Sequence, residues 1–330
     1  MKAFNDLADF SSEEIRALVE LAGRLDRQPE PDALKGKVLS LLFLSPSLRT
    51  LASFQAAMSR LGGGSFVISP DMSIHGLEVR DGIVMDGVAA EHIREAVPVI
   101  ASYGDAIGIR AFADRKKIEY DMAETRFQSL TDLIDTPYIN MESAMNHPCQ
   151  SLADWKTMDD LGVPANGGKF VLSWAYHPMA LPLAVPSSTL FMAAKRGMDV
   201  TVLRPEGFQL PAPLMQKAIF AAEESGGSVR ETDDRKEAME GAHVIYSDAF
   251  YSMGQEEEAV KRRADFAPFQ ITSELLASAH AEHVVLHCLP AHRGEEITDE
   301  VMDGPHSVVF DEAENRLHAQ KAIVRWCLGV

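Results

Sequence analysis

Cysteine is scarce in this 330-residue chain, and the few present show no pairing pattern. Cys149, Cys288 and Cys327 are odd in number and form no C-x-x-C, so neither a disulfide framework nor a structural zinc site is expected; a reducing cytoplasm fits best. Positive charge is also in short supply. With 31 Lys and Arg against 49 Asp and Glu, the formal net charge is -18, which disfavours nucleic acid and anionic membrane as partners because both are polyanions repelled at long range. An anionic substrate must then be captured by a local basic cluster. Apolar runs long enough to cross a bilayer are lacking, and the N-terminal MKAFNDLADF has no signal-like apolar core, so neither membrane insertion nor secretion is expected. No G-x-G-x-x-G follows the apolar runs at 39–44 or 170–175, which removes the usual dinucleotide-binding signature. Internal repeats and low-complexity segments are not evident either.

What is present is a globular composition, 46% hydrophobic, long enough for two cores rather than one. Ser11 with Glu14 forms a capping box ahead of Ile15, Leu18, Val19, Ala22 and Leu25, which recur at helical spacing. Strands are expected at 37–44, 65–68, 106–110 and 136–140, with helices from 48 and over 91–103. A polar loop at 70–81 has little pattern, and loops of that length tend to serve a function or move. The alternation restarts after His147 with a helix at 149–161. Strands at 170–175, 199–203, 229–231, 243–246, 283–286 and 307–310 then alternate with helices at 187–196, 214–225, 256–264 and 314–327. Such alternation indicates doubly wound parallel sheets covered on both faces, in two α/β domains. The expected boundaries are 1–145, 146–310 and a C-terminal helix at 311–330.

In open α/β sheets ligands sit beyond the carboxyl ends of the strands, so the residues just after each apolar run are the informative ones. The first run ends at Ser45-Pro46-Ser47 and gives way to a helix near Leu48. A helix N-terminus offers unpaired N–H groups and positive dipole charge, and Ser47, Arg49 and Thr50 add two hydroxyls and a guanidinium suited to phosphate oxygens. The plain alternative is an ordinary capped helix. Later strand ends carry Arg110, Glu142, His177, Asp248 and Cys288.

The strand-S-x-R-T-helix junction, His147-Pro148-x-Gln150, His287-Cys288-Leu289-Pro290 and Glu314-Asn315-Arg316 together resemble the aspartate and ornithine carbamoyltransferase superfamily over nearly the full length. The middle is most similar to the N-acetylornithine and N-succinylornithine carbamoyltransferases, through Val84 to Gly87, Glu91-His92, Ile139 to Glu142, and Trp174 to Pro178 with Pro182, Ala184 and Val185. The resemblance implies that Ser47, Leu48 (through its backbone), Arg49 and Thr50 bind the phosphate of carbamoyl phosphate. Arg110, His147 and Gln150 would hold the carbamoyl group, and Cys288, Leu289 and Arg316 would complete the pocket. Arg110, His147 and Cys288 stand as the residues of the catalytic step. His75, Ala90, Glu142, His177, Asp248, Ser252, Met253 and His292 would meet the acceptor, an ornithine derivative. No cofactor and no metal are implied, since a phosphate oxygen can accept the proton lost by the attacking amine. A homotrimer with shared active sites is implied, the 70–81 loop reaching into a neighbour. The proline-rich segment at 176–182 resembles the loop through which acylornithine enzymes form a knotted second domain.

The pattern also departs from the family. Leu51 stands where a second arginine follows S-x-R-T, which motivates a catalytically silent homologue as one alternative. His75, Asp248 and His292 replace the tryptophan, lysine and arginine of the acylornithine enzymes. Asp248 and Ser252-Met253-Gly254 resemble ornithine carbamoyltransferase instead, which makes that enzyme the other alternative. Quieter readings exist for single residues. Arg110 alone reads as a solvated strand-end arginine, His147 as a helix cap, and Cys288 as a buried thiol. Met85, Met141 and Met253 read as core fillers, and the acidic runs at 256–258 and 295–296 as solvated faces.

Overall fold

In the computed structural model, the residues described are 1–69, 76–80, 82–87, 89–113, 117–174, 183–248 and 264–330. They form two compact units. One comprises Met1–Asp9, Ala17–Cys149 and Arg316–Val330, the other Phe10–Arg16 and Gln150–Asn315. The end of the chain thus belongs to the first unit, as the resemblance implied, although the last helix, Val309–Leu328, begins in the second.

The first unit is built on an all-parallel sheet of β1 (Ala3–Phe4), β2 (Val38–Phe43), β3 (Gly64–Ile68), β6 (Ala106–Arg110) and β7 (Tyr138–Glu142). Its order is β1-β7-β6-β2-β3. The remaining short strands, β4 (Leu77–Glu78) and β5 (Glu91–His92), pair with each other. The near-continuous apolar runs of β2 and β6 suit strands covered on both faces. Leu42, Ile107 and Ile109 pack with Ile93, Val97 and Ile100 of the helix Ile93–Ser102, and with Phe127 and Leu130. From β2 the chain moves to β3 on one side and later to β6 on the other. The switch point therefore falls between the carboxyl ends of β2 and β6, where Ser47 and Arg110 stand.

The second unit repeats the plan. Strands β8 (Lys169–Trp174), β9 (Asp199–Leu203), β10 (Ser228–Thr232), β11 (Val244–Asp248) and β12 (Val284–His287) form a parallel sheet in the order β10-β9-β8-β11-β12. Val171, Ile245 and Val285 pack against Met239, Phe269, Val301 and Val309. Its switch point lies between β8 and β11, at Asp248.

Local expectations and structure differ in places. The strand expected at 307–310 is a single bridge from Ser307 to Val285, after which Val309 opens the last helix. Glu91–His92 pairs with Leu77–Glu78 rather than beginning the helix, and His92 caps it by accepting from the Arg94 N–H at 3.2 Å. Met141 is a core residue, but Met85 is 44% exposed. The knot expected around 176–182, the helix at 256–264 and Met253 lie outside the described residues.

Candidate active site

Ser47 caps the helix Leu48–Arg60 with an extended backbone (φ -162, ψ 116), and its hydroxyl accepts from the Thr50 N–H at 3.3 Å. The same hydroxyl donates to Thr50 Oγ1 at 3.0 Å, and Arg316 Nη2 donates to that atom at 3.2 Å. Thr50, accepting twice, keeps its own O–H to donate. Leu48 is 80% exposed, so only its backbone N–H in the first helical turn suits an anion. Arg49 is half-buried, whereas Thr50 and Arg316 are buried.

Arg110 ends β6 and is buried, held by an ion pair to Glu142, by Met141 O at 3.4 Å, and by Phe112, whose ring lies 4.4 Å below the guanidinium carbon. A bulge makes this pairing: Ile109 sits opposite Asn140 and Arg110 opposite Glu142, so Met141 is the extra residue. Arg110 Nε is buried without a hydrogen-bond partner among the described residues, an unused donor of the kind a ligand satisfies. Burial lowers the Arg110 pKa, and Glu142 opposes that shift.

His147 places Nε2 3.3 Å from the same Glu142 carboxylate. Burial first, then the positive charges of Arg316, Arg110 and Arg49, push its pKa well below the ordinary histidine value. A neutral imidazole has one N–H, and the carboxylate favours it on Nε2. The turn that delivers His147 is organised by Glu124. Its carboxylate accepts from Ser143 Oγ at 2.6 Å, Met145 N at 2.8 Å, Ala144 N at 3.1 Å and Asn146 Nδ2 at 3.0 Å. Nothing in the sequence pattern singled out Glu124. Ser47, Thr50, Arg110, Glu142, His147 and Arg316 are therefore one cluster within the first unit. Glu142, expected to meet the acceptor, is tied here to Arg110 and His147.

The second unit holds the other group of expected residues. Gln150 donates through Nε2 to Asp154 Oδ1 at 2.7 Å and to Glu312 Oε1 at 2.9 Å. Beyond β12, the Leu289 N–H donates to His287 Nδ1 at 2.9 Å, so the His287 proton sits on Nε2, which donates to Glu296 Oε1 at 2.7 Å. Glu296 also accepts from the His292 N–H at 2.8 Å. It is 1% exposed, which corrects the reading of 295–296 as a solvated face. Leu289 is left-handed (φ 57) ahead of a cis peptide to Pro290, an uncommon conformation for a branched residue. Cys288 is half-buried and Asp248 buried. Tyr246, which the sequence did not point to, has a buried hydroxyl without a hydrogen-bond partner among the described residues. Burial, then Asp154, Cys288, Glu312 and Asp248, raise its pKa.

Ala90 is exposed, on a cleft of about 580 Å³ in the first unit with Met85, His92 and Arg94. His292 lies at the end of the 287–292 turn with Nδ1 3.6 Å from Glu295. His75, His177, Ser252 and Met253 are outside the described residues.

A doubly wound α/β enzyme with guanidinium groups and a capped helix N-terminus gathered at a switch point is the class this geometry defines. The chain belongs to the aspartate/ornithine carbamoyltransferase family and is a carbamoyltransferase. The family's carbamoyl-P binding domain matches residues 2–160, and its Asp/Orn binding domain matches 184–327. It is 38% identical to an ornithine carbamoyltransferase of Pyrococcus abyssi, over 98% of this chain and 94% of that one. It is 37% identical to an N-acetylornithine carbamoyltransferase of Xanthomonas campestris pv. campestris, over 100% of this chain and 98% of that one. Among solved structures, a Glu-to-Ala variant of N-acetyl-L-ornithine transcarbamylase, complexed with carbamyl phosphate and N-succinyl-L-norvaline, superposes with a TM-score of 0.93. That match has 37% identity and covers 99% of both chains.

Proposed function

We propose that this enzyme moves the carbamoyl group of carbamoyl phosphate to the δ-amine of an N-acyl-L-ornithine, giving an N-acylcitrulline and phosphate in arginine biosynthesis. The observation that carries the donor half is the first-unit cluster of Ser47, Thr50, Arg110, His147 and Arg316, with Arg49 close enough to bias His147. In this reading Ser47, the Leu48 N–H, Arg49, Thr50 and Arg316 hold the phosphate. Arg110 and Thr50 stabilise the carbonyl oxygen as it gains charge, each contact typically contributing a few kcal/mol. His147, being neutral, steers the carbamoyl group as a hydrogen-bonding partner rather than as an acid. Gln150, Cys288 and Leu289 contact the carbamoyl group.

The step balances without a protein nucleophile. The neutral δ-amine attacks the carbamoyl carbon, the C–N bond forms, and the bond from that carbon to the phosphate oxygen breaks. The amine proton passes to a phosphate oxygen, and phosphate leaves. Residues 1–145 would form the donor domain and 146–310 the acceptor domain, with 311–330 on the first. The working form would be a cytoplasmic homotrimer, and a monomer by light scattering would count against shared sites.

For the acceptor, Ala90 supports an acylated ornithine. Where it is aligned, acetylornithine enzymes carry glutamate, whose charge would repel a second carboxylate; alanine makes room for succinyl and removes the repulsion. The solved variant in which alanine replaces a glutamate, with N-succinyl-L-norvaline bound, agrees with this. Asp248, buried at the β8/β11 switch point, favours a second reading, free ornithine, whose ammonium it would pair with. Steady-state kinetics with ornithine, N-acetylornithine and N-succinylornithine decide between them. We expect succinyl to be used at least as well as acetyl, and Ala90→Glu to shift preference toward acetyl. The highest kcat/KM with unmodified ornithine would overturn the acyl reading.

A further inference from the structure

Gln150, Glu312 and the turn after β12 form a buried joint whose hydrogen-bond polarity is fixed by chemistry. Gln150 is 2% exposed and Glu312 1%. Both hydrogens of the Gln150 carboxamide are committed, one to Asp154 Oδ1 at 2.7 Å and one to Glu312 Oε1 at 2.9 Å. The second oxygen of Glu312 accepts from the His287 N–H at 2.8 Å. An ionised carboxylate only accepts, so the amide cannot flip: its NH₂ must face the two acids, and its carbonyl oxygen is the end it presents to any ligand. The same carboxylate pins the residue that precedes Cys288 and Leu289.

We infer that Glu312 is a positioning residue that orients Gln150 as a hydrogen-bond acceptor and ties it to the 287–289 turn, so that both motifs meet the carbamoyl amide in one fixed geometry. The inference rests on the proposed carbamoyl-binding role of Gln150. It adds the reason that residue accepts from the carbamoyl N–H groups rather than donating to the carbonyl. A carbamoyl NH₂ needs acceptors, and an amide free to rotate would offer a donor half of the time.

The test is Glu312→Gln, which keeps size and shape but turns one acceptor into a donor. Whichever way it sits, its NH₂ must face either the Gln150 NH₂ or the His287 N–H, both donors. Loss of one charge-assisted buried bond with an opposed donor corresponds to about a 10- to 100-fold loss. We expect kcat to fall by that factor while the inhibition constant of inorganic phosphate, held by the first unit, stays within about threefold. A smaller fall in kcat, or a parallel loss of phosphate affinity, overturns the inference. Proton NMR on the unmodified protein reads the joint without any variant. A Gln150 side-chain NH₂ protected from exchange supports it, and one exchanging as freely as exposed glutamines refutes it. A wild-type enzyme that released no phosphate from carbamoyl phosphate with any ornithine derivative would sink the proposed function, and the NMR readout would still judge Glu312.

Discussion

Replacing Glu142 by glutamine separates two things its carboxylate does. In the ligand-free protein it is the counter-ion of buried Arg110 and lies 3.3 Å from His147 Nε2. Arg49 and Arg316 add positive charge nearby, as their effect on His147 shows. Removing one partner of a buried ion pair costs about 3 to 5 kcal/mol. Glutamine keeps an oxygen to accept from Arg110, so a loss near the lower end is expected for the first unit. The second effect has the opposite sign. Two unit charges roughly 7 Å apart at an effective dielectric of about 20 interact by roughly 2 kcal/mol. Taking a negative charge out of a site for a dianion should therefore tighten phosphate binding about tenfold or more. The assay is thermal unfolding across a phosphate series, with calorimetry for affinity. Glu142→Gln should melt lower than wild type without phosphate and gain more on adding it, since a ligand at 100 times its Kd stabilises by about 2.7 kcal/mol. A variant that loses stability but binds phosphate no more tightly would refute the placement of Glu142 against the anion.

Arg49→Ala should weaken phosphate binding by at least about 2 kcal/mol, as for loss of a charge-assisted contact; unchanged affinity by titration calorimetry would remove Arg49 from the site. The stability of the second unit should fall in mild acid. His243 and His283 are both shifted down, chiefly by burial, and each is stacked on another imidazole, His280 and His306; Lys169 adds positive charge beside His243. Their folded pKa values lie below the unfolded value, so the unfolded chain takes the protons first. Stability is full above about pH 6.5 and is lost as pH falls toward the folded values, by up to about 1.4 kcal/mol per pH unit per histidine. A melting temperature flat between pH 7 and pH 5 would contradict this.

Local chemistry explains which parts of this structure could be read from residues in order. The Ser47 cap, the Ser11–Glu14 capping box and the alternation of apolar runs are encoded within a few residues, and they appear where expected: the Ser11 N–H and hydroxyl both reach Glu14 at 2.8 Å. The arginine of Glu314-Asn315-Arg316 was found only through a shared motif, because its partner Thr50 is 266 positions away. The buried carboxylates were the blind spot. Glu124, Glu296 and Glu312 stand in polar or acidic stretches that read as solvated, and each is buried by elements far along the chain. Composition hides them, since an acidic chain has many glutamates and few of them are structural. Yet their pattern follows one physical rule: each accepts from backbone N–H groups of a turn bearing expected site residues, Glu124 before His147, Glu296 and Glu312 around Cys288 and Leu289. A turn that presents side chains to a ligand cannot satisfy its own N–H groups by strand pairing, so acceptors must come from elsewhere. In a chain of net charge -18, some of the excess carboxylates are therefore the inner supports of the site rather than a solvated coat.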